Sequence, residues 1–242
     1  MGAGFFITGT DTGCGKTEVT LGLMQRLQQQ GHRVLGMKPV ASGGERLDGR
    51  LSNEDARRIY AQASIEIPYV EVNPYVFEPP IAPHLAARMA GQAIDLEHIA
   101  GVYERLQEQA DLVLVEGVGG WHVPLGETTT VADLVLRLQL PVVLVVGMRL
   151  GCINHALLSA ESLLHAGVSF AGWVANRIDP DMQAYAENLE TLQSWLPAPC
   201  LGEIPHLCNP DPHQVAQCLG ELSVSGEGRE SGALKDPVSG SS

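Results

Sequence analysis

The chain has 242 residues, 45% hydrophobic and 18% charged, which supplies a large core and excludes a chain disordered throughout. Fifteen Lys and Arg against 28 Asp and Glu leave a formal net charge of -13, a field that repels nucleic-acid backbones and anionic membranes, so neither is expected as a partner. No run reaches the roughly 18 apolar residues of a membrane span, no basic segment precedes the first apolar stretch as in a secretory leader, and five dispersed cysteines suit reduced thiols in a cytoplasmic protein.

Residues 5–8 form a continuous apolar run rather than an alternating one, the pattern of a strand covered on both faces. Residues 17–30 follow as a helix with Val19, Leu23 and Leu27 on one face and Gly31 at a left-handed stop. Residues 33–37 read as a weaker strand, 53–63 as a helix, and 73–83, with four prolines, as a loop. A helix over 95–109 precedes a buried strand over 112–115, and a helix over 130–139 precedes another at 142–146. Ile153, Ala156, Leu157, Ala160, Leu163 and Leu164 recur at helical spacing until Gly167. Weaker strands at 169–175 and 199–204 flank a helix over 181–195. Strands alternating with helices predict an α/β fold: one doubly wound, mainly parallel sheet with helices on both faces. Residues 1–222 read as a single domain, and 223–242, half of them Ser or Gly, as a disordered tail.

Gly9-Thr10-Asp11-Thr12-Gly13-Cys14-Gly15-Lys16-Thr17 links the first strand to the first helix. Glycines there let backbone N–H groups curl around a phosphate, and the helix N-terminus adds a favourable dipole. Lys16 is placed to reach the β- and γ-phosphates, and the Thr17 hydroxyl to bind Mg²⁺. The usual spacing has four residues between the first Gly and Gly-Lys-Thr, whereas five separate Gly9 from Gly15. Either the loop is one residue longer or Thr10 takes the first position.

Glu116 ends a buried strand and is followed by Gly117, Gly119 and Gly120. A carboxylate there lies at the carboxyl edge of the sheet, where open α/β folds bind ligands, and suits Mg²⁺. Lys38 ends the second strand, beside the phosphate loop, where a second cation would neutralise charge on a transferring phosphoryl group. Asp55 in the first turn of a helix suits either a metal or simply the helix dipole.

The segments Thr8-Gly9-Thr10-Asp11-Thr12 with Gly15-Lys16-Thr17, Lys38-Pro39-Val40-Ala41-Ser42-Gly43, Asn53-Glu54-Asp55-Ala56, Asn73-Pro74-Tyr75, Val115-Glu116-Gly117-Val118-Gly119-Gly120-Trp121, Leu150-Gly151-Cys152-Ile153-Asn154-His155, Gly172-Trp173-Val174-Ala175-Asn176 and Gly202-Glu203-Ile204-Pro205 occur in this order. Together they resemble the dethiobiotin synthetases over about residues 4–205. The resemblance implies a cytoplasmic, homodimeric ligase of biotin synthesis that uses ATP, CO₂ and diaminopelargonic acid. The diamine takes up CO₂ as a carbamate, ATP phosphorylates the carbamate, and the second amine closes the ureido ring. It implies further that Thr17, Asp55 and Glu116 hold Mg²⁺ and that Gly13, Cys14, Gly15 and Lys16 cradle the phosphates. Lys16 and Lys38 would be catalytic, Thr12, Lys38 and Ser42 would line the reacting end of the substrate, and Asn176 and Pro205 would meet the adenine. Gly151, Cys152 and Asn154 would bind the substrate carboxylate in the neighbouring subunit's site.

Two positions depart from the family pattern. Gly13 stands where some relatives carry a glutamate, and Cys14 where a small aliphatic side chain is common. Partitioning ATPases share the general loop but carry a lysine where Asp11 stands here. A cobalamin-pathway amide ligase would need a glutaminase domain, for which the residues after Pro205 are expected to be too few. A nucleotide-binding regulator would bind ATP without diamine-stimulated turnover. His206, Cys208, His213 and Cys218 match no zinc spacing, and His84, His122 and His155 have no acid or nucleophile partner in sequence.

Overall fold

A computed structural model describes residues 3–222. In chain order its elements are β1 (Ala3–Gly9), α1 (Lys16–Gln29), β2 (Val34–Met37), β3 (Val40–Ser42), β4 (Glu45–Leu47), β5 (Arg50–Ser52), α2 (Glu54–Ala61), α3 (Tyr69–Val72), β6 (Tyr75–Phe77) and α4 (Pro83–Met89). There follow α5 (Leu96–Gln107), β7 (Leu112–Glu116), α6 (Val131–Leu138), β8 (Val142–Gly147), α7 (Cys152–His165), β9 (Phe170–Asn176), α8 (Tyr185–Trp195), β10 (Cys200–Ile204) and α9 (Pro212–Gln217).

Six strands form one parallel sheet in the order β10-β9-β8-β1-β7-β2. Every residue of β7 and β8 is buried. Successive side chains of a strand point to opposite faces, so both faces of this sheet are covered, as the unbroken apolar runs predict. Register sets the working edge: Ile7 of β1 pairs with Glu116 of β7, and Met37 of β2 with Val115. Lys38, the residue after Met37, therefore comes level with Glu116, and the loop after Gly9 opens beside both. At Gly36 a Cβ would lie 2.3 Å from Ile59 and 2.9 Å from Met24, so the bare glycine lets α1 and α2 pack together onto β2.

Several elements differ from the sequence expectation. Within 73–83, read as a loop, Tyr75–Phe77 is a strand paired in parallel with β3. Its three residues are too few to show a periodicity, and the surrounding prolines mask it. The hairpin of β4 and β5 turns on Asp48 (φ 50) and Gly49 (φ 78), the left-handed pair that an Asp-Gly turn supplies. Helices α4 and α9 start on Pro83 and Pro212, and α9 also has a capping box between Asp211 and Gln214. Helix α8 starts at Tyr185 rather than 181, because the residues before it form a turn. The predicted tail at 223–242 lies outside the described residues. No helix among the described residues is long and apolar enough to cross a membrane.

Candidate active site

The phosphate loop closes over glycines. A Cβ at Gly9 would lie 2.3 Å from the Cys14 sulfur and 3.1 Å from the Lys16 side chain, so Gly9 is the residue over which the loop folds back. The loop is thus one residue longer than the four-residue spacing. Gly13 (φ 82) and Gly15 (φ 88) are left-handed, and Gly15 caps α1 with no side chain bonded to the helix's first N–H groups. That arrangement offers backbone donors and the positive end of the helix dipole to an anion. The Asn176 amide nitrogen donates to the Cys14 carbonyl at 2.9 Å, tying the end of β9 to the loop. Lys16 Nζ donates to the Asp11 carbonyl at 2.8 Å and lies 3.8 Å from the Cys14 sulfur. Asp11 itself accepts from Arg149, which follows β8, and from the Thr10 hydroxyl.

Beside the loop sits a buried charge cluster. Glu116 is fully buried, and its Oε1 accepts from Lys38 Nζ at 2.5 Å and from the Thr17 hydroxyl at 2.9 Å. Lys38 Nζ also donates to Asp55 Oδ2 at 3.1 Å. Burial acts to lower the Lys38 pKa, but the charges of Glu116 and Asp55 outweigh it and hold the ammonium above its ordinary range. Burial likewise acts to raise Asp55, yet the Lys38 charge, with help from Thr17 and Arg58, keeps its carboxyl below the usual carboxylate value. The second oxygen, Glu116 Oε2, is buried without a hydrogen-bond partner. A buried orphan acceptor is costly unless something electropositive meets it. Thr17, Asp55 and Glu116 together are hard oxygen donors of the kind that hold Mg²⁺ with phosphate oxygens and water completing the shell. Among the described residues no group of three or more His, Cys, Asp or Glu gathers as a self-sufficient metal cage.

Local sequence explains how these groups are held. Asn73 donates to the carbonyls of Lys38 at 2.7 Å and Tyr75 at 3.1 Å, and the Lys38 N–H bonds to Val72, so α3 and β6 fix the lysine's backbone. Asn53 caps α2 by accepting from the Ala56 N–H and donates to the Ser42 carbonyl at 3.3 Å, setting Asp55 beside β3. Neither asparagine was singled out as a site residue in the sequence; both stand in the motif segments, and the N-cap pattern at Asn53 was readable.

A cavity of about 690 Å³ joins these parts. Thr12, Gly13, Gly15, Lys16, Thr17, Lys38, Ser42, Asp55 and Glu116 line it, as do the apolar Ile81, Pro83, Val118, Val123 and Pro124. The Ser42 hydroxyl is buried there without a partner. Glu18 and Arg58, which the sequence did not mark, face the same space. Cys14 is buried behind the loop, and Asn176 and Pro205 lie at the ends of β9 and β10, outside this cavity. Gly151, Cys152 and Asn154 begin α7 and do not line it either; Gly151 and Asn154 are exposed. The His122 ring meets the Ser162 hydroxyl at 2.6 Å.

Residues 3–214 match the family model described as an AAA domain. The chain is 52% identical over 216 residues to the ATP-dependent dethiobiotin synthetase BioD of Pseudomonas aeruginosa (strain UCBPP-PA14), covering 89% of this chain and 95% of that protein. It is 49% identical over 215 residues to the enzyme of the same name from Aromatoleum aromaticum, covering 89% and 96%. Among solved structures, the septum site-determining protein MinD complexed with Mg-ADP from Pyrococcus horikoshii superposes with a TM-score of 0.52 at 17% identity, covering 91% of this chain and 87% of that one. At that identity the likeness concerns the fold alone. A phosphate loop on a parallel sheet, a buried cation between two carboxylates, and about half-identical relatives over nearly their whole length lead to one assignment: the chain belongs to the ATP-dependent dethiobiotin synthetase family.

Proposed function

We propose that the protein carboxylates diaminopelargonic acid with CO₂ and closes the ureido ring of dethiobiotin, converting ATP to ADP and phosphate. The observation that carries this reading is the meeting of the phosphate loop and the Lys38–Glu116–Asp55 cluster at a cavity that also has an apolar wall of Ile81, Pro83, Val118, Val123 and Pro124. Such a wall suits a fatty-acid-like chain, and the charged end suits the reacting amines and phosphates.

In chemical terms, one amine adds to CO₂ and loses a proton to give a carbamate. A carbamate oxygen attacks the γ-phosphorus and ADP leaves. The second amine then attacks the carbonyl carbon of the mixed anhydride, phosphate departs, and the ring closes. Gly13, Cys14, Gly15 and Lys16 bind the phosphates through loop N–H groups and the lysine. Lys16 and Lys38 neutralise charge on the transferring phosphoryl group, with the Lys38 cation held in place by its carboxylate partners. Thr12 and Ser42 orient the reacting end, a role that the Ser42 hydroxyl has spare hydrogen-bonding capacity to fill. Thr17, Asp55 and Glu116 hold Mg²⁺, which when bound offsets the negative charge of the phosphates. Asn176 and Pro205, at neighbouring strand ends, receive the adenine.

We further read the protein as a homodimer. At the start of α7 Leu150 is 95% exposed and Gly151 and Asn154 are exposed outside their own cavity, which suits a segment that enters a partner's site and meets the substrate carboxylate there, with the buried Cys152 offering only its backbone. A cytoplasmic location agrees with five unpaired thiols. The test is product formation: purified protein, ATP, Mg²⁺, bicarbonate and the diamine together yield dethiobiotin by mass spectrometry. Phosphate release at the same rate with the diamine omitted, and no ring product, would favour a nucleotide hydrolase instead.

A further inference from the structure

Glu18 follows Thr17 in the first turn of α1, and Arg58 follows Asp55 by three positions on α2. Residues three apart on a helix share a face, so Arg58 projects from the side of α2 that carries Asp55. The two side chains form a bidentate ion pair, Arg58 Nη1 to Glu18 Oε1 at 2.6 Å and Nη2 to Oε2 at 2.7 Å. About a third of the arginine side chain and a quarter of the glutamate's remain exposed, and both border the cavity. Further along, the Gln62 amide donates to Gln25 at 2.9 Å and Gln28 at 2.8 Å, so α1 and α2 are laced at two levels.

We propose that the Glu18–Arg58 pair is a positioning clasp: it fixes α2 against α1 and so sets Asp55 at the distance from Thr17 and Glu116 that a divalent cation on a phosphate chain requires. The proposal rests on the reading that Thr17, Asp55 and Glu116 hold that cation. Asp55 stands on a short helix whose first turn is tied through Asn53, through the Lys38–Asp55 pair and through the Arg57–Ser52 bond, while Glu116 ends a central strand of the sheet and Thr17 stands in the first turn of the long helix α1. Of the three donors Asp55 alone is carried by α2, and the clasp joins that helix to α1 one turn from it. A planar fork fits a carboxylate in one geometry, so lysine would keep the charge and lose the alignment.

The test compares Arg58→Ala, Arg58→Lys, Glu18→Gln and the exchanged Glu18→Arg/Arg58→Glu protein. Binding of Mn²⁺ in the presence of ADP is followed by electron paramagnetic resonance, alongside the Mg²⁺ concentration for half-maximal turnover and the KM for the diamine. Removing a group that orients a metal ligand typically weakens metal affinity by roughly tenfold or more. The three single variants are expected to show that loss in Mn²⁺ affinity and a matching rise in Mg²⁺ demand with the diamine KM unmoved, and the exchanged pair is expected to recover. Asp55→Asn is the reference. If it weakens Mn²⁺ while the four clasp variants bind as the parent does, the clasp is overturned; if Asp55→Asn itself leaves Mn²⁺ binding intact, the cation-site reading fails first. A variant that melts early is judged on the exchanged protein, whose failure to regain Mn²⁺ affinity while folded also overturns the clasp.

Discussion

Lys16 and Lys38 stand in different surroundings. Lys16 bonds to a loop carbonyl, whereas Lys38 is buried against a fully buried carboxylate. Removing an electrostatic contact to a transferring group typically costs about 3 kcal/mol, so Lys16→Ala and Lys38→Ala should each slow turnover by roughly a hundredfold. Their melting behaviour should separate them. Lys16→Ala should melt close to the parent, while Lys38→Ala leaves Glu116 buried without its cation and should lose about 3 kcal/mol in denaturant titrations. Equal stability of the two variants would contradict the cluster described here. Asp55 adds a pH signature. Its folded pKa lies below its unfolded value of about 3.9, so its contribution is complete above that value and disappears as pH falls through the folded value. Lys38 runs the other way: its contribution is complete below about 10.4 and is lost as pH rises through its raised value. Asp55→Asn should therefore lower the melting temperature by a constant amount across neutral pH, and the gap from the parent should shrink below about pH 4.

At the scale of elements, the phosphate loop and the strands around it were legible because their signals are local. Gly15 must be left-handed, and β7 and β8 announce double-sided burial in unbroken apolar runs. What stayed hidden depends on contacts between distant segments. Nothing near Asp11 predicts Arg149, and nothing near Glu18 predicts Arg58, since each pair joins segments that only the sheet order brings together. Strand β6 was hidden for a related reason, being defined by its pairing with β3 rather than by its own pattern. By contrast, the Asp48-Gly49 turn and the Asp211 capping box are signals carried by local sequence alone. The loop yields a sharp prediction. At Gly15 a Cβ meets both a left-handed φ of 88 and the Asn176 amide 2.0 Å away, so Gly15→Ala should weaken ADP binding in calorimetry by roughly tenfold. Unchanged affinity would mean the loop does not grip phosphate in this form. At the start of α7, Asn154→Ala should raise the diamine KM and leave the ATP KM alone; an equal rise in both would remove that segment from substrate binding.

For the molecule as a whole, a net charge of -13 repels the polyanion the protein is expected to bind. On the proposed function, binding would therefore depend on local donors: the loop N–H groups, the start of α1, Lys16 and Lys38. The proposed sharing of sites between two copies is testable by complementation, because Lys16→Ala and Asn154→Ala would damage different contributors to one site. Mixed after reversible dissociation and assayed at diamine concentrations below the raised KM of Asn154→Ala, the two variants should turn over faster than the sum of the two alone, and no gain would argue for self-contained subunits. The central claim is that this cavity brings the γ-phosphoryl group of ATP to a carbamate made from CO₂ on the diamine. It is tested most directly by running the reaction with heavy-oxygen-labelled bicarbonate, under conditions where label exchange with water is slow, and weighing the released phosphate. Attack by the carbamate oxygen transfers one labelled oxygen to each phosphate formed with a ring; phosphate that carries no label, accompanying labelled ring product, would contradict the account.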